Sequence, residues 1–295
     1  MANTRFDNPA FRVLLIVLVG NWALAALKAV VGLWMHSAAI FSDGIHSFAD
    51  GASNLVGMVG LFFAARPASP SHPYGYKKYE TLAALVIAVS LFVTAYKIIF
   101  NVVRHWGSAG LAQPQISVLS YGVMFLSFAV NSVIVWYEHR AAHAMHSDVL
   151  EADAMHSFTD VVMAFAIMLS FVFVSLGYPQ ADGIMAIVIG FVIMYGGSVI
   201  LWKALKVFLD QEALSNEQLR TLALSVDGVI DVHRVRNRGR EDDVRVDMHI
   251  MVDPQLTIQK AHDISHQVED LLREKISGVT EVLVHVEPME DEHRD

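Results

Sequence analysis

Six apolar stretches long enough to cross a membrane constrain the fold of this chain more than any other feature. A membrane-spanning helix needs about 20 mostly apolar residues, because it must cover a hydrocarbon core of about 30 Å at 1.5 Å per residue. The stretches lie near residues 12–34, 38–64, 80–103, 115–137, 149–176 and 183–206. They predict a polytopic α-helical membrane protein with six transmembrane helices.

The charged residues are unevenly distributed along the chain. They make up 17% of its 295 residues, whereas soluble domains average about 25%. They are sparse up to Leu209 and dense beyond it. This asymmetry predicts a transmembrane domain over residues 1–208 and a cytoplasmic domain with a short acidic tail over residues 209–295.

The C-terminal part has the periodicities of a small mixed domain. Two segments have helical periodicity and three alternate apolar with polar residues, in the order 216–225, 229–236, 244–252, 257–275 and 281–287. The order α-β-β-α-β predicts a compact α+β module with helices on one face of a sheet.

Basic residues predict the orientation of the spans. Arginines and lysines precede the first span or lie in the loops after the second and fourth spans. Because short cytoplasmic loops carry an excess of such residues, we expect both termini to be cytoplasmic. The net charge of −9, concentrated in the C-terminal part, argues against a nucleic-acid partner.

The second and fifth spans share a motif of acids and histidines. Residues 43–50 read DGIHSFAD and residues 153–160 read DAMHSFTD, so five of eight positions are identical. Within each motif the histidine and the last aspartate are four residues apart and share one helix face. Two such helices side by side present two imidazoles and two carboxylates, a tetrahedral set that suits Zn²⁺. The predicted ligands are His46, Asp50, His156 and Asp160.

This interpretation has a structural alternative. An aspartate within a span costs about 2.5–3.5 kcal/mol on insertion scales, so such residues are rare without a function. Polar residues can nevertheless join helices by hydrogen bonds alone. The first aspartates of the two motifs, Asp43 and Asp153, are interpreted either as an entry shell for the ion or as helix caps and solvated residues near the membrane edge.

With these motifs the sequence resembles the cation diffusion facilitators, six-span metal-efflux transporters with a ferredoxin-like, metallochaperone-like cytoplasmic domain. The resemblance rests on HSFAD and HSFTD, on HPYGYKKYE at 72–80, on Ala181-Asp182-Gly183, and on Leu209-Asp210. It implies a homodimer in the bilayer of a bacterial inner membrane that exports a divalent metal in exchange for protons by alternating access. A His-Asp/His-Asp set usually goes with zinc in this family.

The resemblance also implies secondary sites. A loop site would include His72, but Ser69 and Tyr76 replace the acid and second histidine expected there, so we expect this site to be weak or absent. Lys78 matches a lysine that forms a salt bridge with the junction aspartate, here Asp210.

A regulatory zinc site in the cytoplasmic domain is a further implication. Glu287 stands where an aspartate is expected, and His266 is a candidate outer contributor. The residues matched to this site are His233, His249, His262, His285 and Glu287.

The sequence is compatible with some alternative functions, and its residues exclude others. The chain has no cysteine, so thiolate metal sites are excluded. It has no HExxH motif, and four protein ligands would close the metal site, so we expect a secondary active transporter and not an enzyme. A non-transporting metal sensor or scaffold is an alternative. Iron, cobalt and cadmium are alternative cargoes, because His-Asp sites bind several such ions.

Overall fold

The computed structural model describes residues 9–34, 47–48, 51–105, 118–178 and 180–289. The chain forms two compact units, Met1–Ala204 and Leu205–Asp295. The predicted division of roles between a transport domain and a regulatory domain stays a prediction.

The N-terminal unit is helical. Its helices are α1 Pro9–Trp34, α2 Ala52–Ala64, α3 Lys78–His105, α4 Val118–Met145, α5 Asp148–Ser175 and α6 Gln180–Phe208, whose last turn belongs to the second unit. Five of them, α1 and α3 to α6, are long and apolar enough to cross a membrane. The described part of the second predicted span is shorter, because most of its N-terminal half lies outside the described residues.

The bundle is apolar both inside and outside. Leu14, Ile87, Leu91, Leu150 and Ile193 are fully buried between helices. Large apolar side chains are also exposed on the outer surfaces of the helices. Such a surface would be unfavourable in water but suits a bilayer, where lipid tails are as apolar as the interior.

Polar contacts between α3 and α5 fix the start of α5. The Ser147 hydroxyl caps this helix by accepting a hydrogen bond from the Leu150 amide and donates one to Glu80. The Thr81 hydroxyl donates to Asp148 over 2.7 Å. These contacts anchor the N-terminal end of α5, the helix that carries the second copy of the repeated motif.

The C-terminal unit has the predicted α-β-β-α-β order. Its elements are α7 Asn216–Leu224, β1 Asp231–Arg240, β2 Asp243–Val252, α8 Ile258–Lys275 and β3 Val279–Pro288. The strands lie in the order β1-β2-β3, with β1 antiparallel and β3 parallel to β2.

One face of this sheet packs against the helices. Alternate side chains of β2, among them Val246, Met248 and Ile250, are buried with Leu219 of α7 and Leu272 of α8. Because successive side chains of a strand point to opposite faces, the residues between them lie on the face away from the helices.

Close packing of α2 on α3 requires a glycine at position 60. A Cβ atom at Gly60 would lie 2.4 Å from the Ala83 Cβ. We expect Gly60→Ala to force the helices apart and to lower the unfolding temperature of the detergent-solubilised protein. Gly122→Ala is the matched control, because a Cβ there meets nothing within 4 Å and alanine favours a helix by about 1 kcal/mol. Equal unfolding temperatures for the two variants would contradict this packing.

Candidate metal-binding sites

Half of the predicted transport site lies on α5. His156 and Asp160 are one turn apart on this helix, His156 buried and Asp160 partly buried. The other half, His46 and Asp50, lies outside the described residues, as does Asp43. The assembly of all four ligands therefore stays a prediction, and the structure supplies the α5 face on which two of them stand.

Asp160 borders a polar cavity between α1, α4 and α5. The cavity has a volume of about 50 Å³, and Asn21, Lys28, Ser47 and Asn131 also line it. This is room for more than one water-sized group. The buried Lys28 ammonium donates a hydrogen bond to the Ser47 hydroxyl over 3.0 Å. The side chain of Asp160, a predicted ligand, thus borders a small cavity that the side chain of Lys28 also lines.

Asp153 lies inside the bundle. It is 1% exposed and accepts hydrogen bonds from the Ser53 hydroxyl, over 2.9 Å, and from the Asn54 amide. Asn21 of α1 donates in turn to the Asn54 side-chain oxygen over 3.4 Å. The cap of α5 is Ser147, so Asp153 joins helices and does not cap one. Its role as an entry shell stays a prediction.

Glu138 of α4 is a buried acid that the sequence analysis missed. It is fully buried, with the Asp153 carboxyl and the Ser157 hydroxyl beside it. The predicted fourth span ends at residue 137, one residue before this glutamate. One signal in the sequence could have indicated it: Glu138 comes directly after the apolar run of the fourth span, shortly before the second copy of the repeated motif at 153–160.

The residues predicted for the loop site and for the interdomain salt bridge, His72, Lys78 and Asp210, do not form a metal site in the part of the chain that the structure describes. His72 is exposed, stacks on Tyr76 at 4.2 Å and shares a hydrogen bond with Ser71. No group of three potential metal ligands in the described part of the chain includes it. Asp210 accepts a hydrogen bond from Arg238 over 3.0 Å. Its pairing with Lys78 would join the two units and stays a prediction.

The sheet face opposite the helices assembles a cluster of donors. His233 on β1, His249 on β2 and His285 on β3 are aligned across the sheet. Glu287, two residues after His285, lies on the same face. Its carboxylate contacts His233 Nε2 at 3.1 Å, His249 Nδ1 at 2.7 Å and His285 Nε2 at 3.5 Å. Ligand atoms of His233, His249 and Glu287 all lie within 4.8 Å of one another, as metal ligation requires.

The histidines also set the charge of Glu287. Burial raises the pKa of its carboxyl, but the hydrogen bond to His249 and the positive charges of the three histidines outweigh burial, so the pKa is lowered from 4.5. The carboxylate is therefore ionised over the whole physiological range, the form that binds metal.

His262 does not join this cluster within one chain. It is exposed on α8, the helix that covers the other face of the sheet, and its Nε2 lies 3.1 Å from Nε2 of His266. His266 Nδ1 is 3.3 Å from Glu269. Of the five residues matched to a cytoplasmic site, the structure brings four together and places His262 with His266 elsewhere.

Comparison with known proteins identifies the family. The model of the cation efflux transmembrane domain matches residues 14–209, and that of the cation efflux protein cytoplasmic domain matches residues 212–289. The chain belongs to the cation diffusion facilitator family. It is accordingly a multi-pass membrane protein that exports divalent metal cations, and not an enzyme. The predicted family and fold class are confirmed.

Three relatives are similar over most of this chain. An uncharacterized transporter of Methanocaldococcus jannaschii is 28% identical over 93% of this chain and 96% of its own length. The cation-efflux pump FieF of Yersinia pestis is 26% identical over 90% of each chain. Metal tolerance protein C1 of Arabidopsis thaliana is 27% identical over 92% of this chain but 61% of its own length.

Solved structures of the MamM CTD match the C-terminal part alone. A single-substitution variant is 34% identical over 25% of this chain and 91% of its own, with a TM-score of 0.24.

The lowered pKa of Glu287 gives a pH-dependence with a defined sign. The stabilisation that it provides is complete above the carboxyl's unfolded value of 4.5 and is lost as the pH falls through the lowered folded value. We therefore expect the stability advantage of the wild type over Glu287→Gln to shrink as the pH is lowered below about 4.5. Chemical unfolding of metal-free protein, followed by circular dichroism, measures this. Glu281→Gln, an exposed change on the same strand, is the control; an advantage that grows on acidification would contradict the assignment.

Proposed function

We propose that this chain exports Zn²⁺ from the cytoplasm through a site formed by His46, Asp50, His156 and Asp160. The observation that carries the proposal is the α5 face, where a buried imidazole and a carboxylate bordering a polar cavity stand one turn apart. The second copy of the motif supplies a matching pair of the same residue types in the second span.

The donor types favour zinc over harder ions. Two imidazoles and two carboxylates suit a tetrahedral Zn²⁺ centre, whereas Mg²⁺ prefers an octahedral set of oxygens. Iron, cobalt and cadmium remain alternative cargoes, because affinity alone does not separate these ions at a nitrogen and oxygen site. The relatives' names, cation-efflux pump and metal tolerance protein, are compatible with each of them.

Protons are the proposed counter-ion. Imidazole and carboxyl groups must lose protons before they bind metal, so metal and protons compete for one site. Alternating access would then load metal from the cytoplasm and release it on the more acidic side, where protons replace it. The proposed setting is a bacterial inner membrane, as the family resemblance implies, with both termini in the cytoplasm, as the basic residues of the loops predict.

The cytoplasmic domain is proposed to regulate transport as a homodimer. The cluster of His233, His249, His285 and Glu287 would bind Zn²⁺ as a regulatory ligand, and binding would stabilise one arrangement of the domain. The short contacts of Glu287 with His233 and His249 support this role, because they already hold the donors close together.

Metal flux into proteoliposomes tests the transport site. We expect Asp160→Asn to reduce Zn²⁺ uptake more than about tenfold, since even the loss of an outer-shell partner costs 10- to 100-fold. Glu151→Gln is the matched control, because this acid of α5 is not a proposed ligand and pairs with Lys203. Wild-type flux in Asp160→Asn would contradict the site.

The same vesicles test the counter-ion and the sensor alternative. An imposed pH gradient, acidic on the release side, should accelerate uptake, and a pH-sensitive dye should report proton movement in the opposite direction. Flux that is independent of the gradient would contradict proton exchange. A protein that binds Zn²⁺ but gives no flux would favour the sensor or scaffold.

Zinc-dependent stabilisation tests the cytoplasmic cluster. We expect Zn²⁺ to raise the unfolding temperature of this domain in the wild type and in His262→Ala, and to have little effect in His249→Ala. His262 serves as control because it is a histidine of the same domain outside the cluster. Loss of the zinc effect in His262→Ala with retention in His249→Ala would place the metal on α8.

A further inference from the structure

A second acidic pair lies inside the helix bundle, separate from the proposed transport ligands. Glu138 of α4 is 0% exposed and Asp153 of α5 is 1% exposed. Their side chains are neighbours, and the hydroxyl of Ser157, one turn after Asp153, also lies beside Glu138. Two carboxylates in contact in a dry interior repel one another unless a cation or a proton lies between them.

The two acids differ in how their oxygens are satisfied. Asp153 accepts hydrogen bonds from Ser53 and Asn54 of α2, so donors hold it in place. Neither oxygen of Glu138 accepts a hydrogen bond of ordinary geometry from any residue that the structure describes, although both are shielded from solvent. Burying a carboxylate without a partner is unfavourable unless a cation or a proton neutralises it.

We propose that Glu138 and Asp153, with the hydroxyls of Ser53 and Ser157, bind a divalent cation. These groups offer oxygen donors alone, which suit hard and borderline divalent ions and hold them less selectively than a set containing imidazole. The site would therefore admit an ion before the more selective ligands take it. The proposal thus adds Glu138 to Asp153, for which an entry shell was one of the two interpretations of the sequence.

The position along α5 supports this order of binding. Asp153 precedes His156 by three residues and Asp160 by seven, which is about 4.5 and 10 Å along the axis of the helix. The pair therefore lies between the α4–α5 connection, predicted to be cytoplasmic, and the proposed transport ligands. An ion entering from that side would meet Glu138 and Asp153 first; this part of the inference rests on the proposed function.

Manganese binding tests the pair without relying on transport. The full chain is placed in nanodiscs of neutral lipid, with the transport site disabled by Asp160→Asn and the cytoplasmic cluster by His249→Ala. Bound Mn²⁺ is counted from the loss of the free-ion paramagnetic resonance signal. We expect this background to bind one Mn²⁺ per chain and Glu138→Gln to weaken that binding more than about tenfold.

Glu80→Gln is the matched control: Glu80 is a buried glutamate that accepts a hydrogen bond from Ser147, and the amide oxygen of glutamine can still accept that bond, so the start of α5 stays anchored. It should leave Mn²⁺ binding unchanged. Asp153→Asn is the second test variant and should weaken binding as Glu138→Gln does; size-exclusion profiles select variants that remain folded. Absence of bound Mn²⁺ in the background, or equal binding in Glu138→Gln and Glu80→Gln, would overturn the proposal and leave a shared proton as the occupant.

A kinetic measurement relates the pair to transport. In otherwise wild-type protein, we expect Glu138→Gln to raise the KM for Zn²⁺ uptake several-fold with a smaller effect on the maximal rate. The reason is that the acidic pair delivers ions to the transport site but contributes no ligand to it. An unchanged KM would overturn the staging role. If the wild type shows no Zn²⁺ flux, the proposed function fails, while the manganese measurement still decides whether the pair binds a cation.

Discussion

The rest of the membrane unit depends on how its buried polar side chains are satisfied. A hydrocarbon surround offers them no water, so each must find a partner on a neighbouring helix. Thr81 pairs with Asp148, and Ser147 with Glu80, at the start of α5. Asn54 holds Asp153 one turn further on. These contacts hold α5 against α2 and α3 and therefore constrain the place at which His156 and Asp160 stand.

The need of buried polar groups for partners also makes the acids without ordinary hydrogen-bond donors candidates for a functional role. Glu80 is a buried acid that accepts a hydrogen bond from Ser147. Neither oxygen of Glu138 accepts a hydrogen bond of ordinary geometry from the residues that the structure describes, although the Ser157 hydroxyl lies beside it. In the C-terminal unit Glu287 is the corresponding case. Three histidines surround its carboxylate on the sheet face that the helices leave free. In both places we propose that a cation completes the surroundings of the carboxylate.

The sequence predicted the features that depend on local periodicity. Runs of about 20 apolar residues gave the spans, and alternation gave the three strands, because both signals depend on neighbours along the chain. Glu138 was missed because hydropathy marks where the apolar run ends and not where the helix ends. The helix continues beyond residue 137 to Met145 and therefore includes Glu138. His262 was grouped with the strand histidines through the family resemblance, and within one chain it lies on α8, the helix on the other face of the sheet.

The repeated motif predicts one metal centre built from two spans, and the coordination of bound zinc tests this claim most directly. X-ray absorption of Zn²⁺ bound to the full chain, with the cytoplasmic cluster disabled by His249→Ala, reports the number of imidazole ligands. We predict four nitrogen and oxygen ligands, with two imidazoles at about 2.0 Å, and the loss of one imidazole in His156→Ala. An unchanged spectrum in His156→Ala would contradict the account.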